Sequence, residues 1–555
     1  MKPRSSFAFA PLFKKSRQGS FPAAAMAAVI SFAASSHAGA ATIVWDGGTA
    51  GTGNDFGTAS NWVGDVLPSV TVPDVAEWNG TPAGPLSLIY SNNAFTGAAG
   101  NGGINLNITA TQTEAINIDA GTNVSALRMN GLTIAAGAGA FSLGNATDAF
   151  NLTLGGAPGT HTWTNDSSNP VTIASDVTWG LGGAGAHILA VGGTGSWNFN
   201  NPIGQGSGTL TLAKRGTGTA NLNGTSPTAA AISVENGTVN LTGTYTATAT
   251  NIISVGTVAS QNGILNVNGG TLNANKNTIP SIGIGTVAGS RGFLNVTSGT
   301  VGTANELHIG RGTGAYASLA VNGGSVTSAS WLCVGLNNDR AVLNQTGGSL
   351  TVAANRMTIG AGGNGSIGVV NLSGGTFTNT VGVFVGENGI GTLNVSGTAA
   401  ATIGDLKFAN NATSLAGTVN LLGGTLAVNS ITKGPSTATG VYEMNFNGGL
   451  LKASSSNANF FADLPNTSAY IRSGGANIDT NGFNVTINEA LQAPSGDGVT
   501  APTVTSGGAG YVDTPVVTIA RGGSDTTGTG ATAIANVSGG VVTSITITNR
   551  GNGYT

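Results

Sequence analysis

Charge is scarce in this chain. Asp, Glu, Lys and Arg make up 7% of its 555 residues, against 40% hydrophobic residues. Disorder requires the reverse balance, so a disordered chain is excluded. Cysteine occurs once, at Cys333, which excludes an internal disulfide framework. Beyond residue 40 the histidines are His161, His187 and His308, and their spacing fits no metal-ligand pattern. In the same region no apolar run is long enough for a membrane-spanning helix. There is no G-x-S-x-G elbow, no Walker A sequence and no calcium-binding nonapeptide. The G-x-G-x-x-G pattern appears at 360–365 and 363–368, but 91 glycines produce such matches by chance and neither opens a helix.

The first 40 residues have a different character. Lys2, Arg4, Lys14, Lys15 and Arg17 form a basic start, 21–36 is apolar, and Ala38-Gly39-Ala40 fits a small-x-small cleavage site. Residues 1–40 are therefore expected to be a signal peptide, and the protein to be exported to the extracellular space or the outer-membrane surface. Removing five cations and no acids leaves 14 basic and 22 acidic residues, a formal charge of 14 − 22 = −8. That balance gives no basic footprint for nucleic acid.

What the chain has in abundance is one returning pattern. Leu265-Asn266-Val267 before Gly269-Gly270 recurs as Leu294-Asn295-Val296, Leu319-Ala320-Val321, Leu343-Asn344-Gln345, Val370-Asn371-Leu372, Leu393-Asn394-Val395, Val419-Asn420-Leu421 and Met444-Asn445-Phe446. The middle residues sit at 266, 295, 320, 344, 371, 394, 420 and 445, which are 29, 25, 24, 27, 23, 26 and 25 apart. A second motif, Ile284-Gly285, Ile309-Gly310, Val334-Gly335 and Ile359-Gly360, keeps the same period. Two motifs on one period of about 25 define a repeat architecture. Alternation in Leu-Asn-Val is that of a strand, and Gly-Gly supplies the turn. The predicted fold is all-β: a β-solenoid, a right-handed parallel β-helix with coils of about 25 residues and a Trp-rich N-terminal cap. Leu265, Leu294, Leu319 and Leu343 should stack inward, and Gln345 interrupts the companion column of Val267, Val296 and Val321.

The expected organisation is 41–98 as cap, 99–251 as irregular solenoid, 252–452 as eight regular coils and 453–498 as transition and linker. Residues 499–555 are read as a second repeat type, from Gly508-Ala509-Gly510-Tyr511 and Gly551-Asn552-Gly553-Tyr554. The cap holds Trp45, Trp62 and Trp78 beside scattered acids. A solenoid needs an end that hides its open strand edges, so these rings are read first as cap core. The alternative is an aromatic sugar-binding platform with acids coordinating calcium, although the acids lack calcium-loop spacing.

One passage carries a family likeness. Leu212-Ala213-Lys214-Arg215-Gly216-Thr217-Gly218-Thr219-Ala220-Asn221-Leu222-Asn223-Gly224, followed by Ile232-Ser233-Val234 and Gly237-Thr238-Val239, resembles the autotransporter-associated β-strand repeat. It departs at Ala220 and Val239, where leucine is usual. Asn61-Trp62 and Pro73-Asp74 in the head are also similar to the start of such proteins. The resemblance implies a secreted or surface-displayed β-helical passenger and brings no catalytic residues with it.

For chemistry, one patch stands out. His308 and Cys333 precede equivalent Ile-Gly and Val-Gly pairs, and Glu306, Trp331 and Arg356 share a register two residues earlier. Alternation puts Cys333 outward, so an accessible thiol is expected. Two ligands without a third seldom hold a metal, and the patch is read as ordinary surface. Five acids, Glu306, Asp339, Glu387, Asp405 and Glu443, serve the regular coils. A polysaccharide lyase or hydrolase needs paired carboxylates. The expectation is thus a non-catalytic protein without cofactor or metal, a stalk, adhesin or matrix component, whose partners are polysaccharides or other cell-surface chains. A carbohydrate-active β-helix enzyme is the alternative.

Overall fold

The computed structural model describes residues 40–555 except 92–93, 97–101, 122–125, 205–207 and 436, with backbone alone at 226–229. Parallel sheets stack as a β-solenoid of about 15 turns whose repeats lie about 25 residues apart. Each regular coil contributes three strands. The first carries Leu-Asn-Val, as in Asn262–Val267, Arg291–Val296, Tyr316–Val321 and Arg340–Gln345. The second follows the Gly-Gly turn, as in Thr271–Ala274, Thr300–Thr303 and Ser325–Ser328. The third carries the Ile-Gly pair, as in Ile282–Ile284, Leu307–Ile309 and Leu332–Leu336. Like pairs with like in the next coil, which makes three ladders.

The predicted inward stack is present. Leu265 pairs with Leu294, Leu294 with Leu319, Leu319 with Leu343, and the column continues through Val370, Leu393 and Val419 to Met444. All eight side chains are buried in one continuous core. The turns explain the glycines. Gly348 has φ +63, and a Cβ there would stand 2.4 Å from the carbonyl oxygen of Gly324 in the coil before. No other residue fits that position. Gln345 keeps its inward place between Val321 and Leu372, where its Nε2 donates to the carbonyl oxygen of Thr376 at 2.8 Å. Two strands, Thr376–Val385 and Ala400–Phe408, run through the corner between the second and third ladders as single strands.

The head belongs to the same ladders. Thr42–Val44 pairs with Val75–Trp78, which pairs with Ile104–Ile108, all parallel. Inside it, Trp45 and Trp62 meet edge to face at 5.1 Å, and Phe56 lies between Trp62 and Trp78. Trp45, Trp62 and Trp78 are each wholly buried. The sugar-platform alternative is thereby corrected: an apolar end needs filling, and rings packed on one another offer no face to a ligand. The nearby acids hold turns. Asp74 accepts from the backbone N–H groups of Ala41 and Ser69, and Asp55 from that of Gly57 and from the Ser91 hydroxyl.

Two further expectations change. The coils do not stop near 452. Leu450–Ala453, Asn457–Phe461, Thr467–Ile471, Asn477–Asp479, Val485–Ile487 and Leu491–Gln492 extend all three ladders. The chain then turns back along the outer side of the first ladder and forms an antiparallel hairpin, Thr532–Ser538 with Val541–Asn549.

Cys333 is also not accessible. It does point away from the main core, since Leu332 and Val334 lie in that core and Cys333 does not. Its register is correct. Gly335, at φ +81, turns the strand so that Leu336 comes round to the outer side. Leu336, Ala361 and the half-buried Trp331 then cover the thiol in a small second cluster. Thiol labelling of the native protein is expected to be slow and to accelerate only on unfolding. Rapid labelling of the native fold would mean that this cover is absent.

Candidate functional site

The five residues singled out, the thiol among them, do come together on the outside of the third ladder. His308 pairs with Cys333 in neighbouring strands. His308 Nε2 donates to Glu306 Oε2 at 2.8 Å, and its ring meets Trp331 edge to face at 5.3 Å. The Arg356 guanidinium lies over the Trp331 and Phe384 rings and pairs with Glu387 at 3.1 Å. Trp331 Nε1 donates to Thr358 Oγ1 at 2.9 Å.

The chemistry of this stack opposes thiol catalysis. Burial pushes the Cys333 thiol well above its ordinary range, and the charges of Asp339, Glu387 and Glu306 push it the same way. A reactive cysteine needs the opposite environment. Its sulfur faces the carbonyl oxygen of Gly335 at 3.8 Å instead of a base. Burial also lowers His308 despite its bond to Glu306. The patch is a packed stack of rings and ion pairs holding neighbouring coils together.

His161 and His187 are a group that the spacing test passed over. They lie 26 residues apart, one coil, and stack at 5.3 Å with His161 Nε2 3.0 Å from His187 Nδ1. The string ends on oxygens: Asn130 Oδ1 at 3.3 Å from His161 Nδ1, and the Gly183 carbonyl at 3.1 Å from His187 Nε2. Burial, then the charge of His187, pushes His161 down to about 4. A pair that touches nitrogen to nitrogen leaves no room for an ion between the rings. Among the described residues no group of three or more His, Cys, Asp or Glu side chains is gathered as a metal site.

The lysine of the resemblance passage is structural. Lys214 is fully buried, and its Nζ donates to the carbonyl oxygens of Arg215, Gly216 and Asn236. Three donors meet three acceptors at the turn, and burial lowers the ammonium to about 8.

A periodic polar surface lies on the outer side of the first ladder. The middle residue of each Leu-Asn-Val faces outward, and the amides bond coil to coil. Asn221 Nδ2 donates to Asn198 Oδ1, Asn240 to Asn221, Asn266 to Asn240 and Asn295 to Asn266, at 2.8–2.9 Å. Ala320 breaks the chain of amides. It resumes as Asn371 to Asn344, Asn394 to Asn371, Asn420 to Asn394 and Asn445 to Asn420, at 2.7–3.1 Å. Two residues further along each strand runs an exposed second column of Asn268, Thr297, Asn322, Thr346 and Ser373.

The returning C-terminal segment seats on this face. Ser318 Oγ and Tyr316 Oη donate to the Asp513 carboxylate and the Thr514 carbonyl, and Asn344 Nδ2 reaches Asp513 Oδ1 at 3.4 Å. Asn420 Nδ2 donates to Thr532 Oγ1 at 2.9 Å, Asn549 Nδ2 to Glu443 Oε2 at 3.2 Å, and Arg472 to the Gly551 carbonyl at 2.9 Å. Asn394, Asn420 and Asn445 are buried beneath it. Between segment and ladder a cleft of about 830 Å³ remains, floored by the two columns from Asn221 to Ser396 and walled by Val512, Asp513, Thr514, Ile534 and Asn536. No protein-family model, no curated protein and no solved structure matches this chain.

Proposed function

We propose that this protein is an exported, non-catalytic β-solenoid that serves as a stalk, adhesin or matrix component. The observation that carries this reading is the outer face of the first ladder, where all but one of the coils from Asn198 to Asn445 present the same amide, the exception being Ala320. A rod of about 15 turns that repeats one surface is suited to many weak, additive contacts with an extended partner. The basic and apolar leader with its small-x-small site supports export, and the likeness of 212–239 to the autotransporter-associated repeat supports display at a cell surface.

The carboxylates favour the non-catalytic reading over the enzyme alternative. Glu306 is bonded to His308, Glu387 to Arg356, Asp405 to Lys407 at 3.7 Å, and Glu443 lies under the hairpin. Glycan cleavage needs two carboxyl groups facing one bond, and these four serve neighbouring side chains instead. The test is incubation of the purified protein with acidic and neutral polysaccharides, with and without calcium. Binding without a fall in polymer size is expected. Reproducible depolymerisation that one carboxylate substitution abolishes would overturn the proposal.

A further inference from the structure

The amide ladder leaves part of its hydrogen-bonding capacity unused. Within the cleft Asn221, Asn240, Asn266 and Asn371 each give one N–H to the coil before and accept one from the coil after, so each retains one donor and one lone pair. These repeat at the strand spacing, about 4.8 Å along the axis. The second column lies two residues on, roughly 6.6 Å across. The floor of the cleft is therefore a grid of neutral donors and acceptors that crosses eight coils, from Asn221 to Ser396. One wall is apolar, from Val512 and Ile534, and the lining contains no aromatic ring. Where Ala320 omits an amide, the roof supplies the Asp513 carboxylate, held by Ser318 and Asn344.

We infer that this cleft binds a linear, neutral glycan laid along the solenoid axis. The inference deepens the non-catalytic reading above and names the ligand class of the same face. A pyranose has hydroxyls at its edge and C–H groups on its faces, which match a polar floor beside an apolar wall. An extended pyranose chain also advances by about one strand spacing per sugar, so successive sugars meet successive coils. The charge is wrong for a polyanion, because Asp513 is the only charged group in the lining. Without aromatic stacking each sugar binds weakly, and affinity must accumulate along the chain.

The test is calorimetric titration of the full chain with neutral β-linked oligosaccharides of three to eight sugars, with polygalacturonate and an amine-bearing glycan for comparison. Affinity is expected to rise at least about tenfold from three to six sugars and to exceed that for both charged polymers. The double variant Asn322→Ala with Thr346→Ala should weaken binding about fivefold or more with unchanged melting, and D513N should weaken it by a similar factor. Asn322 and Thr346 are exposed, so the first variant leaves the core alone. If Asp513→Asn loosens the C-terminal segment, Thr346→Val replaces a hydroxyl by a methyl group and still reads the cleft. Absence of binding to any neutral chain, affinity independent of length, wild-type binding by the folded variants, or preference for a charged polymer would each overturn the inference. Cleavage of a bound glycan would instead overturn only the non-catalytic reading.

Discussion

Trp78→Ala is expected to destabilise the protein by about 3–5 kcal/mol and to loosen the N-terminal coils before the rest. Trp78 is wholly buried, 5.8 Å from both the Trp62 and Phe56 rings. Its strand is the link between Thr42–Val44 and Ile104–Ile108. In a stacked array each coil leans only on its neighbours, so a defect near one end acts there first. Hydrogen exchange should show lost protection at 42–90 while the strands around Leu319 stay protected. Trp331→Ala is the control, since that ring is half-buried outside the main core, and a loss of about 1 kcal/mol is expected for it. Equal losses for the two variants, or uniform loss of protection, would show that the tryptophan cluster does not act as a cap.

The regular coils are legible in the sequence because two constraints coincide. Alternation in Leu-Asn-Val settles which side chains point inward, and Gly-Gly with Ile-Gly marks the turns. Where the glycines thin out after Gly449 the sequence period lapses, yet the coils go on. Stacking requires only apolar residues at inward positions, and Leu451, Ala453, Phe460, Phe461 and Ala469 still supply them. The turn motifs were the visible signal, whereas the inward residues carry the fold.

The candidate sites show a similar division. Alternation places Cys333 outward, and it is outward. Its burial comes from Leu336, which a positive φ at Gly335 brings over the thiol, and alternation is blind to such a bend. His161 and His187 sit one coil apart, so the 25-residue period rather than metal-ligand spacing was the clue to their contact. The outward asparagines were plain in every copy of the motif. Their seating of 513–551 was not, because that contact joins segments nearly 200 residues apart, as Ser318 with Asp513 shows, and has no periodicity of its own.

A second large effect is expected at Asp339. This residue precedes the first-ladder strand of its coil, at the place that Ser290, Ala315 and Ser366 occupy in neighbouring coils. Its side chain lies in the notch of Gly310, where a Cβ would come within 2.3 Å of Asp339 Oδ2. It is wholly buried, and its carboxyl has only the backbone N–H groups of Leu336 and Asp339 near it, neither in good hydrogen-bonding geometry. Burial raises the carboxyl from 3.8 to about 8, with the backbone N–H groups of Leu336 and Asp339 pulling weakly the other way. The folded state therefore holds this proton more tightly than the unfolded state. The associated stability is fully present below pH 4 and is lost as pH rises to about 8. At about 1.4 kcal/mol per pH unit, the whole effect is roughly 6 kcal/mol. His161 acts in the opposite sense. Its folded value of about 4 lies below the ordinary 6.5, so its contribution is lost as pH falls from 6.5 towards 4. The two groups oppose one another between pH 4 and 6.5, and above 6.5 His161 no longer offsets Asp339. Asp339→Ser gives this coil the residue of its neighbours and removes the titrating group. Urea unfolding at pH 5, 7 and 9 is expected to show the variant gaining on the wild type as pH rises, with the largest gain at pH 9. A difference between the two proteins that stays constant from pH 5 to pH 9 would mean that Asp339 is ionised and satisfied in the native fold.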